Sequence, residues 1–325
     1  MEYTTLGKTG LKVSVVGLGC GGFSRIGQRA GKSEAESVSL VQAAFDMGIN
    51  FLDTARAYST ETIVGKAVKS YNLNEIVIST KAQIDRDNAP RPTDEILADL
   101  DQSLDQLGID CIDIFHLHGV LPQLYDHAIQ DIVPALLRQR EKGKFRFLGI
   151  TESPPRDPAH QTLERVLQDD YFSVIMVAFH MLHQSARHIL QPALQRQIGT
   201  LIMFAVRVIF SQPERLRQAV AEQVQSGALP AWLADRQEPL DFLVHAGGAS
   251  SLIDAAYRYC RHEPGADVVL VGTGAIDHLK NNVASILKPA LPAVDLDRIR
   301  TLFGALQGVG LHAPKPTDPP MEKES

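Results

Sequence analysis

The sequence predicts an α/β protein folded as an eight-stranded (β/α)8 barrel. Two observations lead to this fold class. Short runs rich in β-branched and aromatic residues alternate with stretches of helical period, and eight such pairs can be counted along the 325 residues. Polar side chains follow directly after several of the runs, which is where parallel barrels keep their chemistry. Eight units favour a closed barrel over an open sheet.

The predicted elements begin with a hairpin over residues 3–13, whose turn is Gly7-Lys8-Thr9-Gly10. The eight strand candidates that follow are 13–17, 50–53, 76–80, 112–117, 145–150, 174–178, 200–205 and 268–271. The capping sequence Ser33-Glu34-Ala35-Glu36 predicts the start of a helix that ends at Gly48. Further helices are predicted over 93–107, 164–168, 186–196 and 251–260.

Composition restricts the class of protein and its partners. The chain is 44% hydrophobic and 22% charged, which suits a folded protein with a sizeable core. Its net charge of −6 argues against nucleic acid or an anionic membrane as the main partner. Its 3 cysteines form no CxxC pair and no apolar run is long enough to span a membrane, so we predict a cytoplasmic protein with a small-molecule partner. We predict one domain over 1–313 and a disordered, proline-rich tail over 314–325.

One connection is longer than the others, between the seventh and eighth predicted strands. The extra residues, about 210–245, include Trp232 and the turn-prone stretch 226–230. Two interpretations remain open, because long connections are often functional. The segment is either an enlarged loop on the active face or an extra helix packed on the flank of the barrel.

Four polar residues stand at or just past the ends of three successive strand candidates: Asp53 and Tyr58, then Lys81, then His118. Loops that leave the same ends of parallel strands converge on one face, so these side chains are expected to meet. A phenol beside an ammonium, a carboxylate and an imidazole can transfer protons without a metal. Taken one at a time, they could instead be a structural ion pair and an aromatic ring capping the core.

His116 precedes His118 by two residues and therefore faces the same side of its strand. A His-x-His pair is one style of metal site, with His180, His183 and His245 as conceivable further ligands. A metal at His118 would compete with Tyr58 for the same oxygen atom. We therefore predict no metal, and expect His116 to line the barrel interior with hydrogen bonds to its neighbours.

The glycine run at residues 17–22 does not fit a dinucleotide-binding motif of the open-sheet type. Its third glycine is misplaced for the GxGxxG spacing, and residues 45–48 lack the strand-end acid that would bind a ribose.

Three motifs together resemble the aldo-keto reductase family. Residues 51–58 match its Asp-Thr-Ala run with a tyrosine five residues after Asp53, residues 79–81 match its strand-three lysine, and residues 113–118 its strand-four histidine. The order and spacing of the motifs agree with the family over about residues 3–290. The resemblance implies a TIM barrel that reduces carbonyls or oxidises alcohols with a nicotinamide cofactor.

The resemblance also implies roles for the four polar residues. Hydride transfer to a carbonyl leaves negative charge on oxygen, and Tyr58 would supply the proton. We expect Lys81 to lower the pKa of Tyr58 toward neutrality, since a nearby cation favours the phenolate. Asp53 would hold Lys81 in place, and His118 would orient the substrate oxygen by a hydrogen bond.

Cofactor contacts are implied by matching positions, several of which depart from the family. Around the nicotinamide they are Gly19, Cys20, Gly21, Thr151, Glu152, Met176, Met203 and Phe204. Glu152 replaces an asparagine, Met176 a glutamine, and Met203 an aromatic residue that stacks on the ring, although a thioether can still pack there.

At the nucleotide end the implied contacts are Gly272, Thr273, His278, Asn281 and Asn282. Gly272 and His278 stand where many members have a lysine and an arginine for the 2′-phosphate. NADP(H) is predicted ahead of NAD(H), with Arg258, Arg261 and Lys280 as other possible phosphate partners.

Three functions remain to be compared. The first is an NAD(P)(H)-dependent oxidoreductase acting on an aldehyde, ketone or sugar, with Tyr58 as general acid and base. The second is a cofactor-binding regulatory module of the same fold with little turnover. The third, a metal-dependent hydrolase, depends only on His116 and His118. Substrate identity and oligomeric state do not follow from the sequence.

Overall fold

A computed structural model describes residues 1–312 of the chain. The predicted tail, 314–325, lies outside the described residues. The strands are β1 (Tyr3–Thr5), β2 (Lys12–Ser14), β3 (Val16–Gly19), β4 (Phe51–Asp53), β5 (Val77–Gln83), β6 (Asp85–Arg86), β7 (Ala89–Pro90), β8 (Ile112–Val120), β9 (Phe145–Glu152), β10 (Val174–Ala178), β11 (Gly199–Met203) and β12 (Val268–Val271). The α-helices are α1 (Glu34–Asp46), α2 (Glu61–Val68), α3 (Thr93–Leu107), α4 (Tyr125–His127), α5 (Val133–Glu141), α6 (Gln161–Val166), α7 (Arg187–Gln195), α8 (Val208–Ser211), α9 (Pro213–Gln225), α10 (Leu252–Arg261), α11 (Ile276–Ile286) and α12 (Ala293–Phe303).

The predicted (β/α)8 barrel is confirmed. Strands β3, β4, β5, β8, β9, β10, β11 and β12 pair in parallel in chain order, and β12 closes the barrel onto β3. The predicted hairpin is also present as the antiparallel pair β1–β2, with Gly10 left-handed after its turn. Ser33 forms the predicted capping box with Glu36 at the start of α1.

The barrel interior is filled from the bottom by apolar side chains. The inward-facing layer contains Phe51, Val77, Ile114, Val174, Leu201 and Val268, and the hairpin adds Leu6, Leu11 and Val13 beneath it. Side chains alternate along a strand, so residues two and four positions further on face the same interior. This periodicity brings Asp53, Lys81, and both His116 and His118 to the upper, carboxyl-terminal half of the barrel.

His116 occupies space that a missing side chain provides. A Cβ atom on Gly149, its neighbour on β9, would lie 2.3 Å from the Nδ1 atom of His116. The imidazole is fully buried, as predicted for a residue lining the interior, but the predicted hydrogen bonds are not formed, since neither ring nitrogen has a partner within residues 1–312. Burial lowers the pKa of His116 well below its usual value, so the ring is neutral.

The long segment between β11 and β12 contains a packed helix. Leu216 and Val220 of α9 are buried in the main core. Further along the segment, His245 lies 3.0 Å from Asp295 of α12, and Arg298 stacks on Phe242. The segment therefore matches the second interpretation, because it contains an extra helix that packs against the barrel. The part of the segment that follows this helix contacts α12 through Phe242 and His245.

Within residues 1–312, no helix is both long enough and apolar enough to span a membrane.

Candidate active site

The centre of the site is an ion pair between neighbouring strands. The Nζ atom of Lys81 lies 2.6 and 2.7 Å from the two carboxylate oxygens of Asp53, and it donates a third bond of 2.7 Å to the carbonyl of Thr54. Ser79 donates a further hydrogen bond of 3.1 Å to Asp53. Lys81 is fully buried, and a buried ammonium is tolerated only with such partners.

Tyr58 projects into the site from a short 3₁₀ turn that follows β4. The turn ends because Ser59 takes a left-handed conformation, with φ of +58°. The Tyr58 hydroxyl lies 3.5 Å from Nε2 of His118, and the Lys81 ammonium lies 5.1 Å from the centre of the phenol ring. The four residues predicted to meet are thus brought together.

Gly21 sets the position of the Tyr58 ring. A Cβ atom on Gly21 would lie 2.2 Å from Cε2 of Tyr58, so any larger residue there would displace the phenol. Beside it, the Cys20 amide donates a 2.7 Å hydrogen bond to the Asp53 carbonyl. Burial raises the pKa of the Cys20 thiol, which makes it an inert packing group.

The electrostatics of Tyr58 differ from the sequence-based expectation. Burial raises the pKa of the phenol above its ordinary value, while Lys81 acts in the opposite direction and offsets only part of this. The expected net decrease of the Tyr58 pKa is therefore wrong. The physical reason is that burial disfavours the phenolate more than Lys81 favours it, and the nearby Asp53 carboxylate also raises the pKa of Tyr58.

The other titratable groups have clear protonation states. Burial works to lower the pKa of Lys81, but Asp53 and Tyr58 more than compensate, so the net shift is upward. Burial and then Lys81 lower the pKa of His118 to about 3. At neutral pH the site thus contains an ammonium, a protonated phenol and a neutral imidazole.

No metal cluster accompanies the two histidines of β8: within residues 1–312 there is no group of three His, Cys, Asp or Glu side chains that could hold an ion. His245, one of the conceivable further ligands, is paired with Asp295.

The last two residues of β9 face in different directions. The Thr151 hydroxyl accepts a 2.7 Å hydrogen bond from the Gly119 amide. Glu152, the next residue, points to the other side of the strand. Its carboxylate accepts a 2.8 Å bond from the Ala178 amide and lies 2.7 Å from Nδ1 of His160. Both carboxylate oxygens of Glu152 already have hydrogen-bond partners. The geometry therefore does not favour the contact between Glu152 and a nicotinamide ring that the resemblance implied.

Met176 of β10 is buried in the interior layer, and Met203, the last residue of β11, packs against that layer. Phe204 is left-handed, with φ of +69°, and its ring lies 3.9 Å from the guanidinium carbon of Arg207. Sequence reasoning did not single out Arg207. The only signal was one basic residue within the apolar stretch 204–210.

The loop after β12 leads into an uncapped helix. Gly272 and Thr273 precede α11, whose start has no side-chain hydrogen bond to its first-turn amides. Such amides can bind a phosphate group. Asn281 and His278 are exposed and Asn282 is partly exposed on α11. This end of the site therefore fits a nucleotide phosphate.

The cations proposed for the 2′-phosphate are largely engaged. Arg258 donates to the carbonyls of Gly248, Pro289 and Ala290, and Arg261 pairs with Glu2. Lys280 lies 3.2 Å from Asp277.

Comparison with known proteins agrees with this architecture. The model of the aldo/keto reductase family matches residues 17–303. The chain belongs to the aldo/keto reductase family, whose members carry out nicotinamide-dependent carbonyl reduction without a metal.

One named relative covers nearly the whole chain, and another covers about half of it. It is 27% identical over 316 residues to an L-galactose dehydrogenase of Arabidopsis thaliana, which covers 95% of both chains. It is 35% identical over 195 residues to a versiconal hemiacetal acetate reductase of Aspergillus parasiticus, covering 51% of this chain and 54% of the relative. The solved structure of aldo-keto reductase AKR11C1 from Bacillus halodurans, in its holo form, superposes with a TM-score of 0.69 at 20% identity, over 97% of this chain and 99% of that one.

Proposed function

We propose that the protein is an NAD(P)(H)-dependent oxidoreductase that interconverts an aldehyde, ketone or sugar with its alcohol, using Tyr58 as general acid and base. The observation that carries the proposal is the placement of the Tyr58 hydroxyl 3.5 Å from the His118 imidazole and beside the Asp53–Lys81 pair. Two proton-bearing groups so arranged can bind one carbonyl oxygen between them.

A bound nicotinamide supplies the hydride. Tyr58 donates its proton to the oxygen that gains negative charge, and its protonated ground state suits this step. The nearby Lys81 then stabilises the phenolate left behind, because an adjacent cation favours the charged form. Asp53 holds Lys81 in place. His118 is neutral, and in the tautomer that carries its proton on Nε2 it donates a hydrogen bond that orients the same oxygen.

NADP(H) is proposed ahead of NAD(H) as the cofactor, with only modest discrimination between them. The uncapped start of α11 can receive phosphate from either nucleotide. His278 is exposed at the position where a 2′-phosphate would be met, while Arg258 is occupied by three carbonyls. One imidazole is a weaker phosphate partner than an arginine fork.

Sugars are included in the substrate class because the similarity to an L-galactose dehydrogenase extends over 95% of both chains. We therefore propose that aldoses, L-galactose among them, be screened beside simple aldehydes and ketones.

The test is a titration of the purified protein with NADPH and NADH, followed by a screen of this panel in both directions of reaction. Turnover with at least one carbonyl or alcohol, lost in Tyr58→Phe while nucleotide binding persists, supports the proposal. Full activity of the Tyr58→Phe variant would contradict it.

A regulatory module of the same fold is the second candidate. It is favoured by the engagement of Glu152 with Ala178 and His160, which removes one contact expected for the nicotinamide carboxamide. It predicts tight nucleotide binding without turnover on any panel member.

A further inference from the structure

Two side chains at the barrel mouth share a corner formed by the ends of β10 and β11. His180 follows β10 by two residues, Arg207 follows β11 by four, and the two strands are paired neighbours. The Phe210 ring packs edge-on against His180 with 5.4 Å between ring centres, and the Phe210 amide donates a 2.9 Å bond to the Arg207 carbonyl. The charge of Arg207 also acts on the His180 imidazole, so the two side chains lie near each other.

His180 presents an unused N–H group. Its Nδ1 accepts a 3.2 Å hydrogen bond from the Leu182 amide, so the proton of the neutral ring is on Nε2. The ring is fully buried, and burial, with His183 and Arg207, lowers the pKa of His180 well below its ordinary value, which keeps it neutral. Within residues 1–312, the Nε2 atom has no hydrogen-bond partner. A buried donor without an acceptor is unfavourable.

Arg207 presents a second unused donor and a positive charge. Its Nη2 donates a 2.9 Å bond to the Leu311 carbonyl, and the guanidinium stacks on Phe204. Its Nε is buried without a hydrogen-bond partner, and no carboxylate of the described part of the chain forms an ion pair with it. Burial lowers the pKa of Arg207 to about 10, so it stays charged at neutral pH. A largely buried cation without a counter-charge is costly unless a ligand provides one.

We propose that His180 and Arg207 form an oxyanion subsite that binds a carboxylate or phosphate group of a ligand in the barrel mouth. This inference rests on the proposed function, and it narrows the substrate to a carbonyl compound or alcohol that carries an acidic group. Two neighbouring N–H donors, one of them cationic, are matched to one oxyanion. In the closed barrel, β11 lies three strands from β4, which precedes Tyr58, so the subsite would receive the far end of a substrate rather than its reacting carbonyl.

An acidic group could also come from the diphosphate of the cofactor. The uncapped first turn of α11 already offers amides for a cofactor phosphate, which favours the substrate as the source. The experiment has an arm for each source.

The substrate arm compares succinic semialdehyde with butanal, which lacks the carboxylate, in the wild type, Arg207→Met and His180→Phe. Arg217→Met is the matched control, because Arg217 is a partly exposed arginine of α9 paired with Glu214. We expect Arg207→Met to raise the KM for succinic semialdehyde by about tenfold or more, with the KM for butanal nearly unchanged and the control like wild type. Arg207→Lys keeps the charge, so its KM for succinic semialdehyde should lie between the values for the wild type and Arg207→Met.

The cofactor arm measures the Kd for NADPH in the same variants. A weaker Kd in Arg207→Met, with the KM of both aldehydes unchanged, assigns the oxyanion to the cofactor diphosphate. An unchanged Kd and unchanged KM values in both arms would overturn the subsite.

Calorimetry with inorganic phosphate keeps the inference separate from the proposed function. If no panel compound is turned over, the proposed function fails, yet the wild type should still bind phosphate and Arg207→Met should bind it at least about tenfold more weakly. Absence of phosphate binding by the wild type would then overturn the subsite.

Thermal melting is a further test of Arg207. Arg207→Met should melt no lower than the wild type, because an uncompensated buried charge is removed. If Arg207 were purely structural, the variant would melt at a lower temperature than the wild type.

Discussion

The ammonium of Lys81 and the carboxylate of Asp53 form a bidentate ion pair, with distances of 2.6 and 2.7 Å, at a depth where Lys81 is inaccessible to solvent. Because each charge depends on the other, the pair should respond differently to single and double substitution. The pair also acts on Tyr58, because Lys81 lowers the pKa of the phenol and Asp53 raises it.

Asp53→Asn is expected to destabilise the fold by about 3–5 kcal/mol, because it leaves a buried ammonium without its counter-charge. The double variant Asp53→Leu with Lys81→Met should recover most of that free energy of unfolding, although it should remain without activity. Urea unfolding of the two variants measures both values. A single variant as stable as wild type would show that the pair is not buried as described.

The pH dependence of activity should reflect a raised phenol pKa. Burial raises the pKa of Tyr58, so carbonyl reduction, which uses the protonated form, should persist to alkaline pH and decline only above the ordinary tyrosine pKa of about 10. Alcohol oxidation needs the phenolate and should rise with pH over the same range. Rate profiles in both directions test this. A reduction profile that declines near pH 7 would show that Lys81 dominates after all.

Stability should fall in acid because of buried neutral histidines. Burial lowers the pKa of His183 to about 3, whereas an unfolded histidine titrates near 6.5. The folded pKa is the lower one, so the contribution of His183 is complete above about pH 6.5 and is lost as pH falls from there toward about 3. His183→Asn should show a shallower decline between pH 7 and pH 5 in urea unfolding. A slope equal to that of wild type would mean that His183 is charged in the folded protein.

Gly21→Ala should displace the Tyr58 ring, since the added Cβ would lie 2.2 Å from Cε2. We expect turnover to fall by about 100-fold, in the range of a lost general acid, with the Kd for NADPH changed little. Stopped-flow reduction and fluorescence titration separate the two effects. If turnover survives, the phenol position is not critical.

Glu152→Asn restores the residue common in the family, yet it should not tighten cofactor binding. The carboxylate bonds to Ala178 and His160 would be lost, at a cost of about 1–3 kcal/mol in stability. Thermal melting and the NADPH Kd check this prediction. A tighter Kd would indicate that residue 152 can turn toward the nicotinamide.

Much of the fold could be predicted from the sequence, because buried strands and capped helices leave local patterns. The bounds of β10, β12 and α3 agree with the predicted ranges. The strand β8 runs on to Val120, beyond the predicted end at 117, because its last residues pair with β9 across an irregularity in register that no local pattern records.

The meeting of Asp53, Lys81 and His118 followed from strand order, since they extend from the same ends of adjacent strands. The net pKa shift of Tyr58 could not be predicted in this way, because burial depends on the packing of distant segments.

The orientation of Glu152 was partly foreseeable, because Glu152 adjoins Thr151 and successive residues of a strand face opposite sides. Its partner His160 lies on a separate loop and belongs to no motif. The anion-binding role proposed for His180 and Arg207 was not foreseen for a similar reason, as their unused N–H groups exist only in the folded protein.

The most direct test of the central claim is a single-turnover experiment on Tyr58→Phe, with NADPH bound beforehand and an aldehyde that the wild type reduces. We predict that the variant binds NADPH as wild type does but oxidises it more slowly by about 100- to 10,000-fold, because the proton donor is absent. NADPH oxidation at the wild-type rate would contradict the account.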